Sequence, residues 1–146
     1  MDANTAPARL KSTASWLLNQ AALQATRLVT DGFGAAHARR YHYSMLAALE
    51  EFGPASQATL GRRCGIDRSD VVAMVNELAD RDQLERTPDP ADGRRNVITI
   101  TPAGVRQLQR LDDVLGHVQD DLLAPLSEPE RAQLTELLTR LITHHA

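Results

Sequence analysis

The fold of this chain is decided by residues 65–101, which read GIDRSDVVAMVNELADRDQLERTPDPADGRRNVITIT. A helix is predicted after Asp67. At about 100° per residue, one side of its axis is wholly apolar, which is typical of a helix packed on a core. The side chains on that side are Val71, Met74, Val75 and Leu78. Two strand-like runs follow at residues 84–87 and 96–101, and the turn between them holds prolines, a glycine and charged residues. The stretch therefore predicts a helix followed by a hairpin with an exposed basic tip.

A second, shorter helix is predicted just before this stretch. Ser56 is its expected N-cap, and Gly65 supplies the tight turn between the two helices of a helix-turn-helix. Asp67 is expected to cap the following helix through its side chain, with Asp70 near the positive end of the helix dipole. Small side chains at the centre of the outer face allow this helix to approach a groove closely.

The remaining chain reads as helices. A first helix is predicted from Leu10 to about Asp31 and ended by Gly32–Gly34. A second follows the run Arg39–Tyr43 and stops at Gly53-Pro54, with Met45, Leu46, Leu49 and Phe52 on its inner side. Thr101-Pro102 starts a long helix, and a last helix follows residues 125–129.

These elements predict a mainly α fold with a small β component (α+β), in a single domain over residues 1–146. The first helix and the last two carry apolar faces that a central lobe of about 60 residues cannot cover. We therefore expect a helical dimerisation layer from residues 8–36 and 102–146, and a lobe with the helix-turn-helix and the hairpin from residues 37–101.

Composition limits the classes of function. The net charge of -3 provides no global attraction for nucleic acid, so any such contact depends on local clusters of arginine. One cysteine and no apparent signal peptide or membrane span favour a cytoplasmic protein. The sequence shows no catalytic constellation and no His/Cys/Asp cluster with ligand spacing, so we expect no enzyme, no metal site and no cofactor. Cys64 is expected to be a small buried apolar residue, with a redox sensor as the alternative.

Four segments of the chain resemble the wing of the MarR family of winged helix-turn-helix transcription regulators and the start of its next helix. They are LER at residues 84–86, PDP at 88–90, DGRR at 92–95 and TPAG at 101–104. The order of helices and strands over nearly the whole chain is similar as well. The resemblance implies a homodimeric regulator, a repressor, that binds double-stranded DNA at a pseudo-palindromic operator.

The resemblance and the helix geometry together point to specific DNA-binding residues. On the helix from Arg68 to Gln83, asparagine can bond adenine at two points and small apolar groups can meet thymine methyls. In the wing, Arg94 is expected in a minor groove, oriented by Asp92, with Arg95 the weaker candidate because neighbouring strand residues point to opposite sides. The candidates are Arg68, Ser69, Val72, Ala73 and Asn76 on the helix; Asp92, Arg94 and Arg95 in the wing; and Ser56, Gln57, Arg62 and Arg63 for the DNA backbone.

The family also implies a small anionic or aromatic effector bound near the end of the first helix and the start of the second. Trp16, Arg39, Tyr41 and His42 could line such a site, or equally serve as core aromatics and phosphate-facing arginines. One departure is Gln83, which stands where the family usually has glycine and predicts a less sharply turned helix end. The alternative function is a winged-helix protein-interaction module without specific DNA binding.

Overall fold

The computed structural model describes residues 4–146. Its helices are α1 (Ala8–Lys11), α2 (Ala14–Ala35), α3 (Arg40–Phe52), α4 (Gln57–Cys64), α5 (Arg68–Asp80), α6 (Pro102–Leu122) and α7 (Glu128–His145). Its strands are β1 (Ala55–Ser56), β2 (Leu84–Pro88) and β3 (Asn96–Ile100). The mainly α fold with a small β component is as predicted.

The chain divides into two compact units. One contains the residues before Val29 together with Gly116–Ala146, and the other contains Val29–Leu115. The first unit therefore holds most of α2, the end of α6 and all of α7, while the second holds the helix-turn-helix and the sheet. A role of the terminal helices in dimerisation remains a prediction.

The sheet has three antiparallel strands in the order β1-β3-β2. The hairpin of β2 and β3 was predicted, whereas the pairing of the two-residue β1 with β3 was not. Ile98 at the centre of β3 lies opposite Ala55 on one side and Arg86 on the other. Because β1 directly precedes α4, this pairing attaches the start of the helix-turn-helix to the hairpin.

The core of the second unit is built around the inner side of α5. Its four predicted inward residues, Val71, Met74, Val75 and Leu78, are all buried, which confirms the assigned face. They join Met45, Leu46 and Leu49 of α3, Leu60 of α4, Leu84 and Ile98 of the sheet, and Leu111 of α6 in one cluster. Burial of these side chains stabilises the lobe and fixes which side of α5 faces outward.

Two predictions about the helices near the N-terminus were wrong. The first helix begins at Ala14 after the separate turn of α1, and it continues through Gly32–Gly34 to Ala35. Each of the two glycines weakens the helix by only about 1 kcal/mol, and burial of Phe33, which is 1% exposed, offsets that cost. The left-handed residue that ends the segment is His37, at φ 56°.

Phe52 was predicted to point inward but is 58% exposed. It occupies the last residue of α3, where the helix has passed the core, and the guanidinium of Arg63 lies 4.9 Å from its ring centroid. A cation over the ring face replaces core packing at this position.

The caps of the helix-turn-helix differ from each other. Ser56 caps α4 as predicted, its Oγ accepting from the N–H of Thr59 at 3.2 Å. Asp67 occupies the N-cap of α5 but its side chain makes no capping hydrogen bond, so that part of the prediction was wrong. Its main-chain carbonyl instead accepts from Val71 N–H at 2.9 Å.

The end of α5 is sharply turned despite the absence of glycine. The helix ends at Asp80, and Asp82 adopts the left-handed conformation at φ 58°. The N–H of Gln83 then returns to the carbonyl of Leu78 at 2.9 Å, a closing bond typical of helix C-termini. The less sharp turn predicted from Gln83 was therefore wrong, because aspartate tolerates the left-handed conformation one residue earlier.

Candidate nucleic-acid interface

The helix-turn-helix is closely packed. Gly65 takes the left-handed conformation at φ 64° between α4 and α5, as the predicted turn requires. Gly61 of α4 lies so close to α5 that an added Cβ would sit 2.7 Å from Cγ2 of Val71. The spacing of the two helices is thus set by a residue without a side chain.

A groove of about 940 Å³ runs between the start of α4, the start of α5 and the wing, defined as β2, β3 and residues 89–95. Five of the residues predicted to contact DNA line it: Ser56, Gln57, Arg62, Arg68 and Arg95. Three of these are arginines from three different segments of the chain. Within residues 4–146, Asp67 is the one acidic residue of the lining, so the groove still has an excess of positive charge in a chain whose net charge is -3.

The outer side of α5 is exposed, as its apolar period predicted. Ser69, Val72, Ala73 and Asn76 all lie at the surface, and Val72 is 42% exposed. Asn76 is engaged there, because Oδ1 of its amide accepts a hydrogen bond from Nη2 of Arg86 on β2. Sequence reasoning missed Arg86, although its position two residues after the buried Leu84 places it on the face of the strand that meets α5.

The wing tip is organised by Asp92, but not as predicted. Its Oδ1 accepts from the main-chain N–H of Arg94 at 3.1 Å, and its Oδ2 lies 4.0 Å from Nε of Arg95. The predicted charge-assisted bond from Asp92 to the side chain of Arg94 is therefore absent, and Asp92 forms an ion pair with Arg95 instead. The turn brings the side chain of Arg95, three residues after Asp92, back toward the carboxylate, whereas Arg94 approaches it only through its main chain. The side chain of Arg94 is exposed.

Arg62 and Arg63 behave differently although they are adjacent. Arg62 lines the groove and donates from Nη2 to Oγ1 of Thr59 at 3.1 Å. Arg63 lies over the ring of Phe52 instead and does not belong to the groove lining. The geometry supports a DNA-backbone role for the first arginine more than for the second.

A polar cluster connects α5 to the first turn of α3 and to the residues just before it. The buried His42 accepts at Nδ1 from the N–H of Arg39 (3.1 Å), and its Nε2 lies 2.7 Å from Oε2 of Glu77. Nη2 of Arg39 lies 3.4 Å from the other oxygen of Glu77. One turn further along, Nη1 of Arg81 donates to the carbonyl of His37. The outer edge of α5 is thereby held at two points.

The protonation state of His42 follows from these contacts. Since Nδ1 accepts a hydrogen bond, the ring is the neutral tautomer that donates from Nε2 to Glu77. Burial lowers the pKa of His42 below 6.5, Glu77 opposes that shift, and the guanidinium groups of Arg81 and Arg39 add to it. The ring therefore acts as a neutral bridge between α3 and α5.

Comparison with known proteins agrees with this geometry. Residues 37–95 match the sequence model of the MarR family. A putative transcriptional regulatory protein for the hcr operon of Thauera aromatica is 35% identical over 99 residues, which are 68% of this chain and 60% of that protein. The chain thus spans less than two thirds of that relative's length. A solved probable transcriptional regulator from Pseudomonas aeruginosa is 32% identical, with a TM-score of 0.78 over 90% of this chain and 98% of the other. The chain belongs to the MarR family.

MarR proteins are winged helix-turn-helix transcription regulators, which is the fold class that the sequence predicted. A further similar structure is the PcaV transcriptional regulator from Streptomyces coelicolor in complex with its natural ligand. It is 27% identical and superimposes with a TM-score of 0.75 over 97% of this chain and 100% of the other. Within residues 4–146 of this MarR chain, no helix is both long enough and apolar enough to cross a membrane.

The four effector-site candidates of this MarR chain lie in different surroundings. Trp16 is half-buried and belongs to the first unit, whereas the other three belong to the second. Arg39 has 63% of its side chain exposed and pairs with Glu77. Tyr41 lies 5.3 Å from the guanidinium of Arg40, and His42 has both ring nitrogens engaged. The carboxylate of Glu77 pairs with the guanidinium of Arg39, and the sequence did not predict Glu77 as a residue of this site.

Cys64 is half-buried against the core of the winged helix lobe. Burial raises the pKa of its thiol, and the nearby Arg63 opposes the shift. A raised pKa reduces the thiolate fraction on which oxidation depends. The structure therefore supports the apolar role of Cys64 rather than the alternative of a redox sensor.

Proposed function

We propose that this MarR-family chain is a sequence-specific DNA-binding transcription regulator, acting as a homodimeric repressor of a pseudo-palindromic operator. The observation that carries the proposal is the groove in which Arg62, Arg68 and Arg95 converge. The exposed side of α5, with Ser69, Val72, Ala73 and Asn76, would enter a major groove, and the wing would reach the adjacent minor groove.

The charges of the groove suit a phosphate backbone. Arginine binds phosphate oxygens through several donors, and the starts of α4 and α5 add main-chain N–H groups at the positive ends of helix dipoles. These contacts position a protein on DNA, while the short side chains of α5 read bases. Arginines line the groove, one of them at the first residue of α5, and short side chains follow along the outer side of α5, which fits that division.

The apolar surface of the first unit supports a homodimer. Six large apolar side chains on its helices are exposed in the single chain: Leu17, Leu18, Leu23, Leu137, Leu141 and Ile142. Helix α7 buries none of its residues. Exposed apolar side chains on two amphipathic helices favour association with a second copy.

Selection of bound duplexes from a random library tests DNA recognition. We expect a symmetric site with half-sites about 10 base pairs apart, because two α5 helices related by a two-fold axis enter successive major grooves. A sedimentation experiment at micromolar concentration should show a dimer. Enrichment of no sequence, or a protein that stays monomeric, contradicts the proposal.

The salt dependence of operator binding tests the groove and the wing. Arg94→Ala and Arg95→Ala should each weaken binding and reduce the slope of log K against log salt by about 0.9 if one phosphate contact is lost. Arg27→Ala is the matched control, because Arg27 lies on α2 and bonds Gln24 of the same helix. A winged-helix protein-interaction module would show no salt-dependent DNA binding in any variant.

Release by a small anionic effector is the regulatory part of the proposal. PcaV, a similar protein, was solved with its natural ligand. In this chain an anion that reaches Arg39 competes with Glu77 of α5, so binding there would loosen the attachment of α5. A screen of aromatic carboxylates for release of the selected DNA tests this. Arg39→Ala already lacks the ion pair with Glu77, so it should bind the selected DNA more weakly than the wild type and no longer respond to the releasing compound.

A further inference from the structure

The contact between Asn76 and Arg86 determines which end of the Asn76 amide, the oxygen or the nitrogen, is available to a binding partner. Nη2 of Arg86 donates to Oδ1 of Asn76. A guanidinium carries N–H donors and no acceptor, so the atom of the amide that meets it is the oxygen. The amide nitrogen, with its two N–H donors, is therefore directed away from Arg86.

The positions of the two residues follow from the fold. Arg86 lies opposite the buried Ile98 in the register of β2 and β3, so it stands on the sheet face that meets α5. Asn76 follows the buried Val75 on α5 and lies at the surface. The strand and the helix together place a cation beside the amide, at the outer side of α5.

This arrangement changes what Asn76 can read. A free asparagine bonds adenine at two points, accepting from the N6 amino group and donating to N7. Here one of the two lone pairs of the oxygen is engaged by Arg86, and an adenine amino group approaching the other would lie beside the N–H groups of the guanidinium, donor against donor. Guanine presents two acceptors, O6 and N7, at the same edge and has no amino group there.

We propose that Asn76 and Arg86 act as one composite donor that selects guanine over adenine at the base facing Asn76. Arg86 is then a specificity-determining residue outside the helix that reads the groove. The inference rests on the proposed function, because it requires α5 to enter a major groove. It replaces the adenine contact expected from the sequence with a guanine contact at the same residue.

Selection of bound duplexes with the full-length wild type and three variants tests the pair. Asn76→Ala identifies the relevant base position, because preference should disappear there and persist elsewhere. The wild type should require guanine at that position. Arg86→Met should free the amide oxygen and change the guanine-to-adenine ratio by about 10-fold or more in favour of adenine. Arg86→Lys, which keeps a cationic donor, should retain guanine.

The outcomes separate this inference from the proposed function. If the wild type enriches a symmetric site with adenine at the Asn76 position, the composite donor is refuted while the regulator stands. If Arg86→Met weakens binding equally on all sequences and leaves the base preference unchanged, Arg86 contacts phosphate and the inference is overturned. If the wild type enriches no site, the proposed function itself fails. Because Arg86 is exposed, Arg86→Met should unfold at the same denaturant concentration as the wild type. Arg86→Lys retains the positive charge, so it separates the effect of losing the donor from the effect of changing the residue.

Discussion

His42 donates from Nε2 to Oε2 of Glu77 across 2.7 Å, and this bond joins two helices whose contributing residues are 35 positions apart. His42 is 1% exposed, whereas 31% of the Glu77 side chain is accessible. Because the His42 ring is buried, it has little freedom to move, and its hydrogen bond therefore holds the more exposed Glu77 in place. The orientation of the proposed reading helix thus depends on a neutral histidine.

The stability of the protein should depend on pH through His42. Its folded-state pKa lies below 6.5, so the unfolded chain takes up a proton at a higher pH than the folded protein. The contribution to the free energy of unfolding is therefore complete above about pH 6.5 and is lost as the pH falls through the folded-state pKa. Urea unfolding at several pH values measures this loss.

The control for this pH dependence is a pair of variants. His42→Gln should remove the His42 part of the decrease, whereas His144→Gln, at an exposed position on α7, should retain it. A wild type that becomes more stable as the pH falls from 7 to about 5.5 would show that attraction to Glu77 outweighs burial and contradict the assignment.

Removing the carboxylate of Glu77 should destabilise the lobe by about 1–3 kcal/mol, because Glu77→Ala leaves Nε2 of the buried His42 without its acceptor. Glu77→Gln keeps an acceptor oxygen and should lose less. Asp80→Ala, at an exposed position later on α5, is the matched control and should change stability by less than about 0.5 kcal/mol. Equal losses for Glu77→Ala and Asp80→Ala would argue against the bridge.

Gly104 should not tolerate a side chain. A Cβ at this position would lie 2.0 Å from the carbonyl oxygen of Gln83, which already accepts from the N–H of Thr101. Gly104→Ala should therefore lower the free energy of unfolding by about 3 kcal/mol, at the upper end for overpacked sites. Gly116→Ala on the same helix meets nothing within 4 Å and should raise stability by about 0.5–1 kcal/mol. If Gly104→Ala and Gly116→Ala lowered the free energy of unfolding by similar amounts, Gly104 would not lie close to the carbonyl oxygen of Gln83.

The left-handed position after α5 gives a further test. Asp82 has φ 58°, whereas Gln83 does not have a positive φ. Glycine relieves left-handed strain and otherwise loses more entropy on folding, so Asp82→Gly should be neutral or stabilising and Gln83→Gly destabilising by about 0.5–1 kcal/mol. Thermal unfolding of both variants compares them. The reverse order would place the turn at Gln83, where the family's glycine stands.

Local sequence signals predicted the framework of this MarR protein well. The inner face of α5, the Ser56 cap and the Thr101-Pro102 helix start were all confirmed, the last by the bond from Gly104 N–H to Oγ1 of Thr101 at 3.0 Å. Each depends on residues within about one or two helical turns of one another, so the chain carries the information locally. The extent of α2 was mispredicted, because burial of Phe33 outweighed the local signal of its flanking glycines.

Local patterns in the sequence predict which helix presents short side chains and which hairpin carries arginines, since helical period and turn composition depend on neighbouring residues. The local turn of the wing tip pairs Arg95 with Asp92, three residues apart, whereas tertiary packing brings Arg86 to Asn76 and Glu77 to His42. The last two contacts join residues 10 and 35 positions apart. Both contacts depend on the distances between β2, α3 and α5. Packing of the common core sets those distances, and they cannot be predicted from the periodicity of any one segment.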